Sequence, residues 1–142
     1  MRHGVQEART SNALRWPVMV AVVFLVLLGG HLLGDWVAQT DWQATNKTRS
    51  WVALAAHVGS YHLIMGLLLL VPVARDGWSA WKALVALSVS AMTHAIIDRR
   101  WPVRVLMRVA GSPGLATVEW GVIAVDQALH LFILAMLALL LG

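Results

Sequence analysis

Hydrophobic residues run through this chain in four long stretches, broken by short polar connections. The stretches cover about 17–37, 51–71, 78–97 and 118–141. Each comes close to the ~20 apolar residues that a helix needs to cross a bilayer. Pro17 suits the first turn of the first helix, where its missing N–H costs nothing, and Pro72 is expected to end the second. The tryptophans test these limits independently. Trp16, Trp36, Trp42, Trp51, Trp78, Trp81, Trp101 and Trp120 all fall at or just outside the expected ends, where an amphipathic indole prefers to sit.

The connections differ in character. Residues 1–15 read as a polar tail. Residues 38–50 form a polar loop and Arg75-Asp76-Gly77 a tight turn. Residues 99–117 are longer, with four arginines set among Val, Leu and Met. Part of that segment, 103–110, is expected to lie in the headgroup region as a short amphipathic helix, before Gly111-Ser112-Pro113-Gly114 breaks the chain. The predicted fold is all-α: one four-helix transmembrane bundle over 16–142, with an interfacial helix between spans 3 and 4. A basic start before an apolar run also fits a signal peptide. The run outlasts the usual length of such a core, and no small-residue cleavage site follows, so it reads as retained.

Composition agrees. Of 142 residues, 59% are hydrophobic and 13% charged, too few for the surface of a soluble domain this small. Cysteine is absent, which removes thiolate ligands and cysteine nucleophiles together. The net charge of +4 lies in tails and connections, as for contact with anionic lipid. No basic stripe interleaved with stacking aromatics points to nucleic acid. Positive charge divides almost evenly between the two sides, so it does not fix orientation.

The polar residues inside the apolar runs change the picture from scaffold to chemistry. His31, Asp35 and Gln39 recur at intervals of four, a spacing that stacks them on one helical face. The device repeats in His57 with Tyr61, His94 with Asp98, and Asp126 with His130. Ionisable groups in hydrocarbon cost roughly 2.5–3.5 kcal/mol each, so they face a bundle interior or a wet cavity. Their depth is late, early, late, early in successive spans. An up-down-up-down bundle therefore gathers all four sets toward one membrane face. Residues 18–28 and 131–141 are left as a dry apolar half.

Imidazole and carboxylate without thiolate suit zinc, iron(II) or manganese, with zinc first. The metal-ligating candidates are His31, Asp35, His57, His94, Asp98, Asp126 and His130, enough for one ion or two. Asp35, Asp98 and Asp126 are the candidate catalytic carboxylates, one of them free to take a proton from water. Gln39, Tyr61 and Glu119 are expected beside the ligands, although an acid at a helix start is commonly a cap. Arg99 and Arg100 are candidates for holding a phosphate, or anchors at the membrane edge. His62 lies five residues from His57, hence roughly 140° around the helix; it is expected to bond a neighbouring helix instead. Gly29-Gly30…Gly34 and Ala55-Ala56…Gly59 are expected to let helices approach closely.

The motifs HLLGDWVAQTDW, HAIID and DQALH, with the His57/Tyr61 pair, resemble an uncharacterised domain-of-unknown-function family of small bacterial and phage inner-membrane proteins. The resemblance spans roughly His31 to His130 and implies a multi-pass protein of the bacterial inner membrane. The chain is more loosely similar to membrane-bound metal-dependent hydrolases. It lacks the HExxH of zinc metalloproteases, which argues against peptide hydrolysis. The leading expectation is a metal-dependent hydrolase acting on a lipid or headgroup-linked substrate at one membrane face. The alternatives are an ion- or proton-conducting or transport subunit, and a regulatory or phage-exclusion protein whose polar cluster is structural. Membrane lipid is the expected partner, with a homo-oligomer also open and nucleic acid not expected.

Overall fold

The computed structural model describes backbone from residue 2 to 142 and side chains from 15 to 142. Six α-helices follow in order: α1 (Arg2–Leu32), α2 (Asp41–Asn46), α3 (Trp51–Arg75), α4 (Ala80–Asp98), α5 (Trp101–Val109) and α6 (Glu119–Leu141). There is no strand among the described residues. The polar tail expected at 1–15 lies, apart from Arg15, outside the residues whose side chains are described. Four segments are long and apolar enough to cross a membrane: Arg15–Val37, Trp51–Arg75, Ala80–Asp98 and Glu119–Leu141.

Local chemistry sets most of the boundaries. Ser50 caps α3 by accepting from the Ala53 N–H, and Ser79 caps α4 by accepting from Lys82, each satisfying a donor that the first turn leaves free. Two prolines behave otherwise than expected. Pro17 lies inside α1, and α3 runs through Pro72 to Arg75. The second case is intelligible because the Pro72 carbonyl accepts from both Asp76 N–H (2.9 Å) and Trp78 N–H (3.3 Å). That pair of bonds closes the helix end one turn later, and Gly77 at φ 68° turns the chain toward α4.

The four long helices form a ring, α1 against α3 and α6, α4 against α3 and α6. One end of the ring is filled by Val23, Leu27, Met65, Leu69, Ala86, Leu134, Leu137 and Ala138, all buried. This is the dry half expected from the sequence. At its inner edge Gly34 meets Tyr61, where an added Cβ would stand 2.7 Å from the ring, so this crossing needs a glycine. The second small-residue set has another role: Ala55, Ala56 and Gly59 point outward and bring no helices together. α5 turns Val103 and Met107 inward, while Trp101, Val105, Leu106 and Val109 are exposed, as an interfacial helix requires.

Two elements were not expected. The first long helix ends in a π turn, Leu33–Val37, where Ala38 N–H bonds the Leu33 carbonyl at 2.9 Å. The connection at 38–50 is not an open loop but contains α2. A capping box starts it: Thr40 accepts from Gln43 N–H, and the Gln43 side chain accepts from Thr40 N–H. The sequence signal was present in Thr40-Asp41-Trp42-Gln43, a Thr followed three residues later by Gln.

Candidate metal centre

The seven expected ligands, His31, Asp35, His57, His94, Asp98, Asp126 and His130, are all buried, and all lie at the end of the bundle opposite the apolar core. α3 supplies His57 from its second turn, α4 supplies His94 and Asp98 from its last two, and α6 supplies Asp126 and His130. The π turn carries Asp35. One ligand atom from each of Asp35, His57, His94 and Asp98 lies within 4.8 Å of the others, and the same holds for Asp98, Asp126 and His130. Asp98 belongs to both sets.

The tightest point is His57 Nε2. It has four polar neighbours: Asp35 Oδ1 at 3.1 Å, Asp98 Oδ2 at 3.1 Å, His94 Nε2 at 3.0 Å and Lys47 Nζ at 3.1 Å. A ring nitrogen carries one proton or one lone pair, so it cannot satisfy four partners by hydrogen bonding. His94 Nε2 also lies 3.2 Å from Asp98 Oδ2. Separations of 3.0–3.2 Å approach the roughly 3.3 Å edge of a tetrahedron with zinc-like arms of about 2.0 Å. Three carboxylates against the single Lys47 ammonium leave two negative charges, which one divalent cation balances. The donor set fits a divalent ion.

A second tier of contacts orients the first. Gln127 donates from Nε2 to Asp35 Oδ2 (3.1 Å) and Asp126 Oδ1 (3.3 Å), which fixes its amide, so Oε1 accepts from His31 Nε2 (3.1 Å). His31 Nδ1 then accepts from the Tyr61 hydroxyl at 3.2 Å. His130 Nδ1 donates to the Asp126 carbonyl at 3.0 Å, which leaves Nε2 as a bare lone pair. That nitrogen is buried and has no partner among the described residues, as are the Nδ1 atoms of His57 and His94.

The remaining expected residues fall as follows. His31 is buried, bonded to Tyr61 and Gln127, and lies outside the two groups whose ligand atoms converge. Gln39 follows the π turn and lines the cavity beside the cluster, its Oε1 buried without a partner among the described residues. Glu119 does not approach the cluster. It is exposed and pairs with Arg100 and with Arg104 (2.8 Å). Arg99 stacks on Trp51, 4.1 Å from the ring centroid, which is an anchor's position. Tyr61 reaches His31 and packs on His94. His62 bonds Ser90 Oγ at 3.0 Å on the neighbouring helix, as its angular offset requires.

Sequence reasoning missed Lys47 and Gln127. Lys47 is buried and holds Asp35 Oδ1 (3.1 Å) and Asp98 Oδ2 (3.0 Å) together. The available signal was weak: three aspartates lie in apolar spans, and Lys47 is one of the few cations in the connection that follows Asp35. A cavity of about 220 Å³ opens beside the cluster, with Asp35, Gln39, Lys47, Asp98, Arg100, Asp126 and Gln127 on its wall together with the apolar Trp36 and Ile123.

Fold and site together define a multi-pass helical protein, with a buried histidine–aspartate centre that could hold a metal ion, at one end of the bundle. The chain belongs to the family described as Protein of unknown function (DUF3307), whose model matches residues 23–142. No curated protein and no solved structure matches it.

Proposed function

We propose that this protein is a metal-dependent hydrolase of the membrane, acting on a lipid or headgroup-linked substrate that enters from one face. The observation that carries this reading is the convergence of Asp35 Oδ1, Asp98 Oδ2 and His94 Nε2 on His57 Nε2, which a shared cation would relieve, with Lys47 displaced, and hydrogen bonding alone would not. Asp35, His57, His94 and Asp98 would hold the ion, with Asp126 and His130 as a neighbouring donor pair. When bound, such an ion supplies Lewis-acid chemistry. The chain's own residues do the rest. Asp126 on the cavity wall would take the proton of a water that attacks the substrate's ester bond and return it to the alcohol that leaves, Gln127 holds Asp35 and Asp126 in place, and the apolar half keeps bulk water from the far side. Trp36 and Ile123 give the cavity wall apolar surface along which an acyl chain can lie.

A structural polar core is the second reading, favoured by the Lys47 ammonium between Asp35 and Asp98. One experiment separates them. Elemental analysis of the detergent-purified chain should give stoichiometric zinc, iron or manganese, lost in His94→Ala. A lipid extract incubated with the protein should show a chelator-sensitive cleavage product by mass spectrometry. A metal-free protein with unchanged stability in chelator would overturn the proposal and leave the structural reading.

A further inference from the structure

The chain turns out of α4 through Arg100 at φ 57°. This is the left-handed region, where a helix end ordinarily places glycine, and a side chain there is held against strain. The backbone there is tied on both sides, Arg100 N–H to the Ile97 carbonyl (2.8 Å) and the Arg100 carbonyl to Arg104 N–H (2.9 Å), bonds that a glycine would make equally well. Among the described residues the Arg100 side chain pairs with Glu119, which is exposed, and it also forms part of the wall of the polar cavity. Arg104, from the first turn of α5, closes on the other oxygen of the same carboxylate at 2.8 Å and also donates to the Ala116 carbonyl. Two guanidinium groups thus grip one anionic group at the rim. On the same wall Lys47 is committed to Asp35 and Asp98, whereas Arg100 is held by the exposed Glu119 and can exchange it for another anion.

We infer that Arg100, with Arg104 behind it, forms an anion subsite for a phosphate group at the mouth of the cavity, and that Glu119 occupies it in the substrate's absence. The inference rests on the hydrolase reading for its setting and names the substrate class: a phosphate-bearing headgroup, or free phosphate. A planar guanidinium matches phosphate oxygens in pairs where a lysine would offer only a point charge. Glycine at this position would relax the backbone, so the arginine side chain carries the advantage.

The test is calorimetric titration of the full detergent-purified chain with inorganic phosphate and, separately, with dihexanoyl phosphatidate, for wild type, Arg100→Gly and Glu119→Gln. The expected order of affinity is Glu119→Gln, then wild type, then Arg100→Gly at least tenfold weaker. The thermal midpoint of Arg100→Gly should equal or exceed that of wild type. Preference for phosphatidate assigns the subsite to a lipid headgroup; equal binding of both assigns it to phosphate alone. Any other order, or no titratable binding in wild type, overturns the inference. Metal content measured on the same samples decides the hydrolase reading independently.

Discussion

Lys47 brings a fixed ammonium to the two carboxylate oxygens that a metal ion would share, Asp35 Oδ1 and Asp98 Oδ2. Ion and ammonium therefore compete for the same negative charge. Replacing Lys47 with methionine keeps the length and apolar bulk but removes the charge. Divalent affinity should rise at least tenfold, measured by competition with a chromophoric chelator. In chelator the same variant should lose stability by about 3–5 kcal/mol, the cost of leaving buried carboxylates without a counter-charge. The aspartates and histidines of this site were legible because an ionisable residue inside an apolar run has few places to go. Lys47 was not, because a lysine in a polar connection reads as solvated until the chain's path returns it to the core. The role of His31 was also hidden: helical spacing puts an imidazole on a face, but only its partners, Tyr61 and Gln127, decide whether it binds a metal or supports one.

At the scale of elements, α2 shows how a six-residue helix sets the geometry of a buried charge. Its capping box fixes the entry of the chain after the π turn, and Lys47 follows directly from its last turn, with Lys47 N–H on the Gln43 carbonyl at 2.9 Å. Thr40→Ala removes the acceptor for the Gln43 N–H and should cost about 1 kcal/mol. Because α2 delivers Lys47, the loss should appear in the site as well. Differential scanning of the variant should show a lower midpoint, and hydrogen exchange at 41–47 should rise more than in the four long helices. The spans themselves were readable to within a few residues, since length and hydropathy dominate their formation. The π turn was not readable, because one extra residue in a helical turn leaves no mark in an apolar pattern and is fixed by packing of Gly34 on Tyr61.

Across the whole molecule, polarity is divided end to end. Trp36, Trp42, Trp51, Trp101 and Trp120 surround the end that holds the cluster, and Trp16, Trp78 and Trp81 the other. Beyond the His62–Ser90 pair, the described core residues toward that second belt, Val23, Leu27, Met65, Leu69, Ala86, Leu134, Leu137 and Ala138, are all apolar. A conducting path would have to cross this plug. Proteoliposomes containing the protein should therefore hold a proton gradient as long as empty liposomes do, monitored with an entrapped pH-sensitive dye. Faster collapse that disappears in Asp126→Asn would establish conduction instead.

The amide of Gln127 sits between His31 on one side and Asp35 and Asp126 on the other. A carboxamide holds its hydrogens on nitrogen and offers only a carbonyl oxygen in return, so it passes orientation along a chain but not protons. Tyr61 and His31 are thereby insulated from the acid chemistry of the aspartates. What begins as a run of touching polar groups ends as a circuit with one deliberate gap.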